Sequence, residues 1–159
     1  MNILKIQTEM LKEEVKGNLR MLWHRVDDDL WIAWDGVVIF RIPEKDFHLR
    51  LDPRREKPEA FESFFVYSEK KVNHRLRVTD DMKNVELVYS GKARKLLGAD
   101  DDEFSYISEG YFKMAVKGEK DGAITLWNKQ GDNASAVVVK RGGKMIALIA
   151  ALRIKEQKL

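Results

Sequence analysis

Apolar and polar positions alternate in short runs along this chain, and the runs fall into two similar groups around a less regular middle. In residues 2–8, NILKIQT, Ile3 and Ile6 stand about Lys5 as in a short strand. Thr8 is placed to cap a helix over EMLKEEVKG, with Met10, Leu11 and Val15 at helical spacing and Gly17 as its stop. LRMLWHRV, DLWIAW and VVIFRIP follow, rich in β-branched and aromatic residues, and Asp35-Gly36 between the last two is a hairpin signal because both turn positions tolerate positive φ. The predicted order is strand, helix and three strands.

The far end repeats that order. EFSYIS (103–108) predicts a strand, Ser108 a cap, EGYFKMAVKG a helix stopped by Gly118, and AITLWNK, SAVVVK and KMIALIAALRI three strands, the last two joined at Gly142-Gly143. Residue identities follow the pattern. MLKEEVKG at 10–17 lies over YFKMAVKG at 111–118, an offset of 101; LWHR at 22–25 over LWNK at 126–129, an offset of 104; FRI at 40–42 over LRI at 152–154, an offset of 112. The growing offset places insertions in loops, and a period near one hundred residues excludes solenoid repeats. These matches predict an internal duplication with repeat 1 at about 1–43 and repeat 2 at about 103–154.

The connecting segment, about 44–102, is less periodic. PRREKPE reads as a loop, and EAFESFFVYSEKK as a helix with Phe61, Phe64, Phe65 and Tyr67 on its buried side. HRLRVT and NVELVYSG read as strands about a DDMKN turn, and KARKLLGADDDE as a stretch ending in an acidic loop. The fold class expected is α+β, a continuous antiparallel sheet with helices on one face, in a single domain spanning 1–159.

Composition narrows this picture. With 159 residues, 44% of them hydrophobic and 35% charged, the chain can bury a core and lies outside the disordered regime. The absence of cysteine excludes disulfides, thiolate metal sites and a Cys nucleophile, and fits a reducing compartment. MIALIAAL is far shorter than the roughly 20 apolar residues needed to span a bilayer, so a cytoplasmic protein without membrane contact is expected. A net charge of +3 and a pI near 9.0 lean toward a polyanionic partner.

Chemistry-bearing motifs are few. The acidic runs Asp27-Asp28-Asp29 and Asp100-Asp101-Asp102-Glu103 invite a metal-dependent nuclease reading, but each lies at an expected turn, where adjacent carboxylates point apart. His24, His48 and His74 lack ligand spacing, and no nucleophile elbow, phosphate-binding glycine loop or dinucleotide fingerprint occurs. No enzymatic activity, metal or cofactor is expected. Two basic helices remain: Lys12 and Lys16 share one face, as do Lys113 and Lys117, with Leu11/Val15 and Phe112/Val116 on the neighbouring, core-directed faces. Four ammonium groups on one surface would follow phosphates without reading bases. EKKVNHRLR at 69–77 is a second basic cluster, of the kind more often found as solvated surface.

Two βαβββ copies, each with its helix on one face of a sheet, resemble a single domain of the DNA sliding clamps, the ring-shaped processivity factors of replicative polymerases. The second copy is most similar to the end of the bacterial clamp, the polymerase β subunit, with its Asn-x-x-Tyr-Leu helix, Ser-Pro-Val strand and terminal Met-Pro-Met-Arg-Leu strand. The matching positions are Tyr111-Phe112, Ser135-Ala136-Val137 and Ala150-Ala151-Leu152-Arg153-Ile154. Ala136 and Ala150-Ala151 stand where the family has prolines and a methionine, so peptide docking by the family's usual motif does not carry over. The resemblance implies double-stranded DNA as partner, replication proteins beside it, and a role as a replication accessory of the phage or prophage kind. Bacterial clamps carry three such domains per chain. A six-domain ring would therefore need homo-oligomers joined through sheet edges. The other reading is a protein-interaction module using a sheet edge or the Phe61–Tyr67 segment.

Overall fold

Asn2, not Thr8, opens the first helix. Its side-chain Oδ1 accepts from the Lys5 N–H at 3.1 Å, and α1 runs Ile3–Val15 through the segment expected to be a strand. Thr8 lies inside α1, its hydroxyl donating to the Leu4 carbonyl at 2.8 Å. A computed structural model describes residues 1–86, 89–100 and 102–154.

Three strands follow, β1 (Met21–Val26), β2 (Asp29–Trp34) and β3 (Val38–Pro43). The β2–β3 turn holds Asp35 at φ 54° and Gly36 at φ 67°, the geometry the Asp-Gly pair predicts. After the middle segment come β4 (His74–Asn84), β5 (Lys92–Leu97), β6 (Phe104–Ser108), α3 (Glu109–Val116), β7 (Ile124–Asn128), β8 (Val137–Arg141) and β9 (Lys144–Ile149), with α2 (Pro58–Val66) before β4. Gly142 and Gly143, at φ 57° and 79°, close the β8–β9 hairpin.

The nine strands of the described residues form one antiparallel sheet in the order β1-β2-β3-β9-β8-β7-β4-β5-β6. β3 and β9 meet near its centre, pairing Val38 with Ile149, Ile39 with Leu148 and Phe40 with Ala147. A helix followed by a three-stranded meander thus occurs twice, as α1-β1-β2-β3 and α3-β7-β8-β9, and the last strands of the two units pair with each other. The units differ at their starts. β6 precedes α3, whereas residues 3–8 belong to α1, so the first unit has no leading strand among the described residues.

Both faces of the sheet are covered. On one, Ile6 and Met10 of α1 and Tyr111, Phe112, Met114 and Ala115 of α3 pack on Ile32, Trp34, Phe40, Val137, Val139 and Ile149. On the other, Phe61 of α2 packs on Trp31, Ile39, Val138, Met145 and Leu148. Two-sided burial explains why VVIF and VVV read as continuous apolar runs and not as alternations. It also corrects the expectation that all helices share one face, since α2 takes the opposite side. Phe61 is buried and Phe65 packs beside it, while Phe64 is exposed; the expected helix ends at Val66 and passes into a π-turn at Tyr67–Lys71.

In the middle segment the DDMKN stretch is strand, not turn, because β4 runs on to Asn84 through an irregularity between Val78 and Met82. Of the strand expected over NVELVYSG, Asn84 ends β4 and Tyr89–Gly91 form a tight turn into β5 with Ser90 at φ 70°; Leu87 and Val88 lie outside the described residues. KARKLL forms β5. The LRI of 152–154 lies beyond β9, so FRI and LRI do not occupy equivalent strands. Past Ile149 the chain leaves the sheet centre, and the Leu152 N–H donates to the Tyr106 carbonyl at 2.7 Å, covering part of the β6 edge. The β1 edge is partly covered too, by Lys57 N–H donating to the Trp23 carbonyl at 3.0 Å.

The phase of α1 is the largest departure from expectation. Ile6, Gln7 and Met10 are its buried residues, whereas Leu4, Leu11 and Val15 are 77%, 47% and 81% exposed. Gln7 fixes this rotation, because its amide donates to the Asp46 carbonyl at 2.9 Å and accepts from the His48 N–H. Met10→Ala is therefore expected to cost about 2–5 kcal/mol, and Leu11→Ala no more than about 0.5 kcal/mol. Urea denaturation of the two variants checks this, and equal losses would contradict the assigned phase.

Candidate nucleic-acid interface

Lys12, Lys16, Lys113 and Lys117 come from two helices that touch on the same face of the sheet. The Asn2 N–H donates to the Met114 carbonyl at 2.7 Å, so the start of α1 meets the second half of α3. α3 is largely internal, with Glu109, Gly110, Tyr111, Phe112, Met114 and Ala115 buried, which leaves Lys113 as its one exposed residue and Val116 half-buried. Lys117 caps the helix, its N–H bonded to the Lys113 carbonyl at 3.0 Å, and is exposed. Phe112 and Val116 face the core side as expected; Leu11 and Val15 do not.

Lys113 and Lys117 flank the helix contact at Met114. Lys12 lies ten residues beyond Asn2, roughly 15 Å along α1 at 1.5 Å per residue. The lysines therefore form a spaced series and not one cluster. That spacing corresponds to about four base steps of a duplex strand.

Each lysine pair has its own electrostatic setting. Lys12 reaches Glu9 at 3.0 Å, and Lys5 reaches the same carboxylate oxygen at 2.8 Å, so two ammonium groups share one anion. Lys16 pairs with Glu13 at 3.3 Å. Lys113 stands 3.6 Å from Glu109, whose carboxylate already receives Arg94 Nε at 2.5 Å and Nη2 at 2.6 Å. A carboxylate engaged by a bidentate guanidinium holds a third cation weakly, so Lys113 remains available to solvent anions. Lys5 belongs to this surface as well, although the strand pattern of residues 2–8 conceals it. The spacing of Lys5, Glu9, Lys12 and Lys16, at i, i+4, i+7 and i+11, was the signal.

The Lys5 hydrogen bond holds the Glu9 carboxyl below its usual 4.5. Being depressed, it contributes stability that is complete above about pH 4.5 and disappears as pH falls through the lowered value. The same hydrogen bond raises the Lys5 ammonium.

The other chemistry-bearing residues fall elsewhere. Asp29 accepts from Arg41 Nε at 2.7 Å, and Asp27 stands in the β1–β2 turn at φ 52°. Of the second acidic run, Asp101 lies outside the described residues. No three His, Cys, Asp or Glu side chains converge to hold a metal among the described residues. His74 is buried against Asn128 at 2.9 Å and Glu103 at 3.3 Å, His24 faces Phe61 and Phe65, and His48 is exposed. Of the 69–77 cluster, Arg75 and Arg77 are exposed on β4, while Glu69, Lys70 and Lys71 lie in the π-turn.

One cavity lies beside the tail positions that sequence singled out. It measures about 390 Å³ and is lined by Val37, Tyr89, Tyr111, Ile149, Ala151 and Leu152 among others. Tyr89 and Tyr111 stack there with ring centroids 5.3 Å apart. Burial, with Asp35 adding a smaller repulsion, pushes the Tyr111 hydroxyl far above its ordinary range. Ala150 and Ala151 follow β9 instead of extending it, and Ser135 and Ala136 precede β8, so these matched positions lie outside the strands expected of them.

Protein-family models, curated proteins and solved structures compared with the chain give no match.

The Arg94–Glu109 pair anchors α3 to β5 from a nearly dry position, with the Glu109 side chain 3% exposed. Glu109→Ala leaves a partly buried guanidinium without its anion and is expected to destabilise the fold by about 3–5 kcal/mol. Glu9→Ala, which removes pairs with the exposed ammonium groups of Lys5 and Lys12, is expected to cost about 1 kcal/mol or less. Guanidinium denaturation midpoints of the two variants measure the difference.

Proposed function

We propose that this chain is a non-enzymatic, clamp-like protein that contacts double-stranded DNA without reading its sequence, Lys12, Lys16, Lys113 and Lys117 meeting phosphates. One observation carries the reading: α1 and α3 touch on one sheet face while their lysines stay at the surface, tied only to exchangeable or already engaged carboxylates. Phosphates replace those partners at small cost, because exposed ion pairs contribute little. The twofold occurrence of helix plus meander about β3 and β9 supports the duplication on which the clamp resemblance rests. By that resemblance the protein is a replication accessory of phage type, working beside replication proteins.

Ring formation through sheet edges fits this chain less well than contact by one copy. The β1 edge is partly occupied by residues 56–57 and the β6 edge by Leu152, and either contact must open before a second copy can pair there. The alternative, a clamp-like protein-interaction module without DNA binding, keeps only part of its two expected surfaces, with Phe64 and Val66 exposed in the aromatic segment. Phe61 is buried, the Tyr67 hydroxyl donates to the Ala136 carbonyl at 2.7 Å, and both edges are partly covered. The cavity at Tyr89, Tyr111 and Leu152 is the observation that favours this reading.

Binding of fluorescent duplex DNA across a salt series tests the proposal. Four phosphate contacts predict an affinity loss of about 100-fold between 50 and 200 mM salt, and binding abolished by changing all four lysines to glutamate. A flat salt response, or unchanged binding by the quadruple variant, would remove the surface from the account. Light scattering with and without duplex reports whether one copy or several is bound.

A further inference from the structure

The exposed apolar residues of α1 are arranged as a seam. Leu4, Thr8, Leu11 and Val15 follow one another at spacings of four, three and four, which places Leu4 and Leu11 at d and Thr8 and Val15 at a of a heptad pattern. At 3.6 residues per turn the four lie within about 60° of the helix circumference. None belongs to the buried set of α1, and the three apolar members are among the most exposed large hydrophobic residues of the chain. Isolated exposed leucines need no explanation, but a periodic strip along the whole helix has the form of a helix-docking surface.

Charge indicates what covers it. Lys5 and Lys12 occupy both e positions beside the seam, and they share the single carboxylate of Glu9. On the opposite flank Gln7 is turned inward, and Glu14 borders a cavity also lined by Arg50, Arg55 and the Arg54–Asp52 ion pair. The seam is thus apolar and its borders carry more positive than negative charge. A second copy presents the same lysines, so antiparallel pairing sets Lys5 and Lys12 against their equivalents, and parallel pairing sets Lys12 against a Gln7 that is already engaged. A lipid surface calls for a broader apolar face than this narrow strip.

We propose that α1 docks an amphipathic helix of a partner protein, one with an apolar a/d stripe and glutamates or aspartates at the positions facing Lys5 and Lys12. The site is separate from the phosphate contacts in chemistry, being carried by Leu4, Leu11 and Val15, although it adjoins Lys12. A partner helix seated there would also draw Lys12 away from DNA.

The probe is a labelled three-heptad peptide with leucine at a and d and glutamate at e and g, which repels its own copies and stays unpaired. Titrated with the full chain, it is expected to bind with micromolar affinity, whereas its counterpart with lysine at e and g does not. Leu11→Ser/Val15→Ser should weaken binding at least about tenfold while leaving duplex binding unchanged. Lys5→Glu/Lys12→Glu, a surface change independent of the seam, should reverse the preference toward the lysine peptide. Failure of the glutamate peptide to bind, or equal binding of both peptides, overturns the proposal. So does seam-dependent binding to phosphatidylserine vesicles in place of peptide, or seam-dependent self-association seen by light scattering.

Discussion

The pairing of β3 with β9 is the constraint on which this molecule depends. It joins the two helix-plus-meander units through a strand pair whose residues are apolar on both faces: Phe40 and Ile149 toward one side, Ile39 and Leu148 toward the other. A strand pair of that kind is stable in water only when something covers each face. α1 and α3 cover the first, and α2, supplied by the middle segment, covers the second. The middle segment is therefore required by the sheet centre and is not a passive connector between the two units.

That requirement also sets the site. α3 is pressed against the sheet, and β4 bends at Val78–Met82 before β5 and β6 add Leu96 and Ile107 to the same core. The burial that results makes Glu109 need Arg94 and leaves Lys113 loosely held. α1 lies further out, tethered by Asn2 at one end and Gln7 near its middle, and its outer surface carries both the lysines and the apolar seam. The two helices differ in burial: six residues of α3 are buried, from Glu109 to Ala115, against Ile6, Gln7 and Met10 of α1. A surface with cations beside exposed leucines can serve two kinds of partner, which is why the DNA proposal and the helix-docking proposal share a helix but rest on different side chains.

Local chemistry made much of the fold legible in the sequence. The Asp35-Gly36 and Gly142-Gly143 turns need positive φ that those residues adopt cheaply, Ser108 caps α3 through its own hydroxyl, and the β-branched runs can do little except form strands. These features depend on neighbours within a few residues, so the order of elements in both meanders could be read without coordinates. The α+β class and the exposed positions of Lys12, Lys16, Lys113 and Lys117 followed from the same local rules.

Tertiary structure decided the rest, for reasons no local pattern carries. Helical spacing in α1 is satisfied equally by a face through Leu11 and Val15 or by one through Ile6 and Met10; hydrogen bonds from Gln7 to residues some forty positions away choose the second. The strand-like look of residues 2–8 yielded to a cap by Asn2 and to packing on the sheet. The match of FRI with LRI failed because three residues cannot report which strand they border, while the side of the sheet taken by α2, the cover on both edges and the partners of Glu109 depend on contacts between distant segments. Sequence fixes what each short stretch can become, and long-range burial selects which face of it meets water.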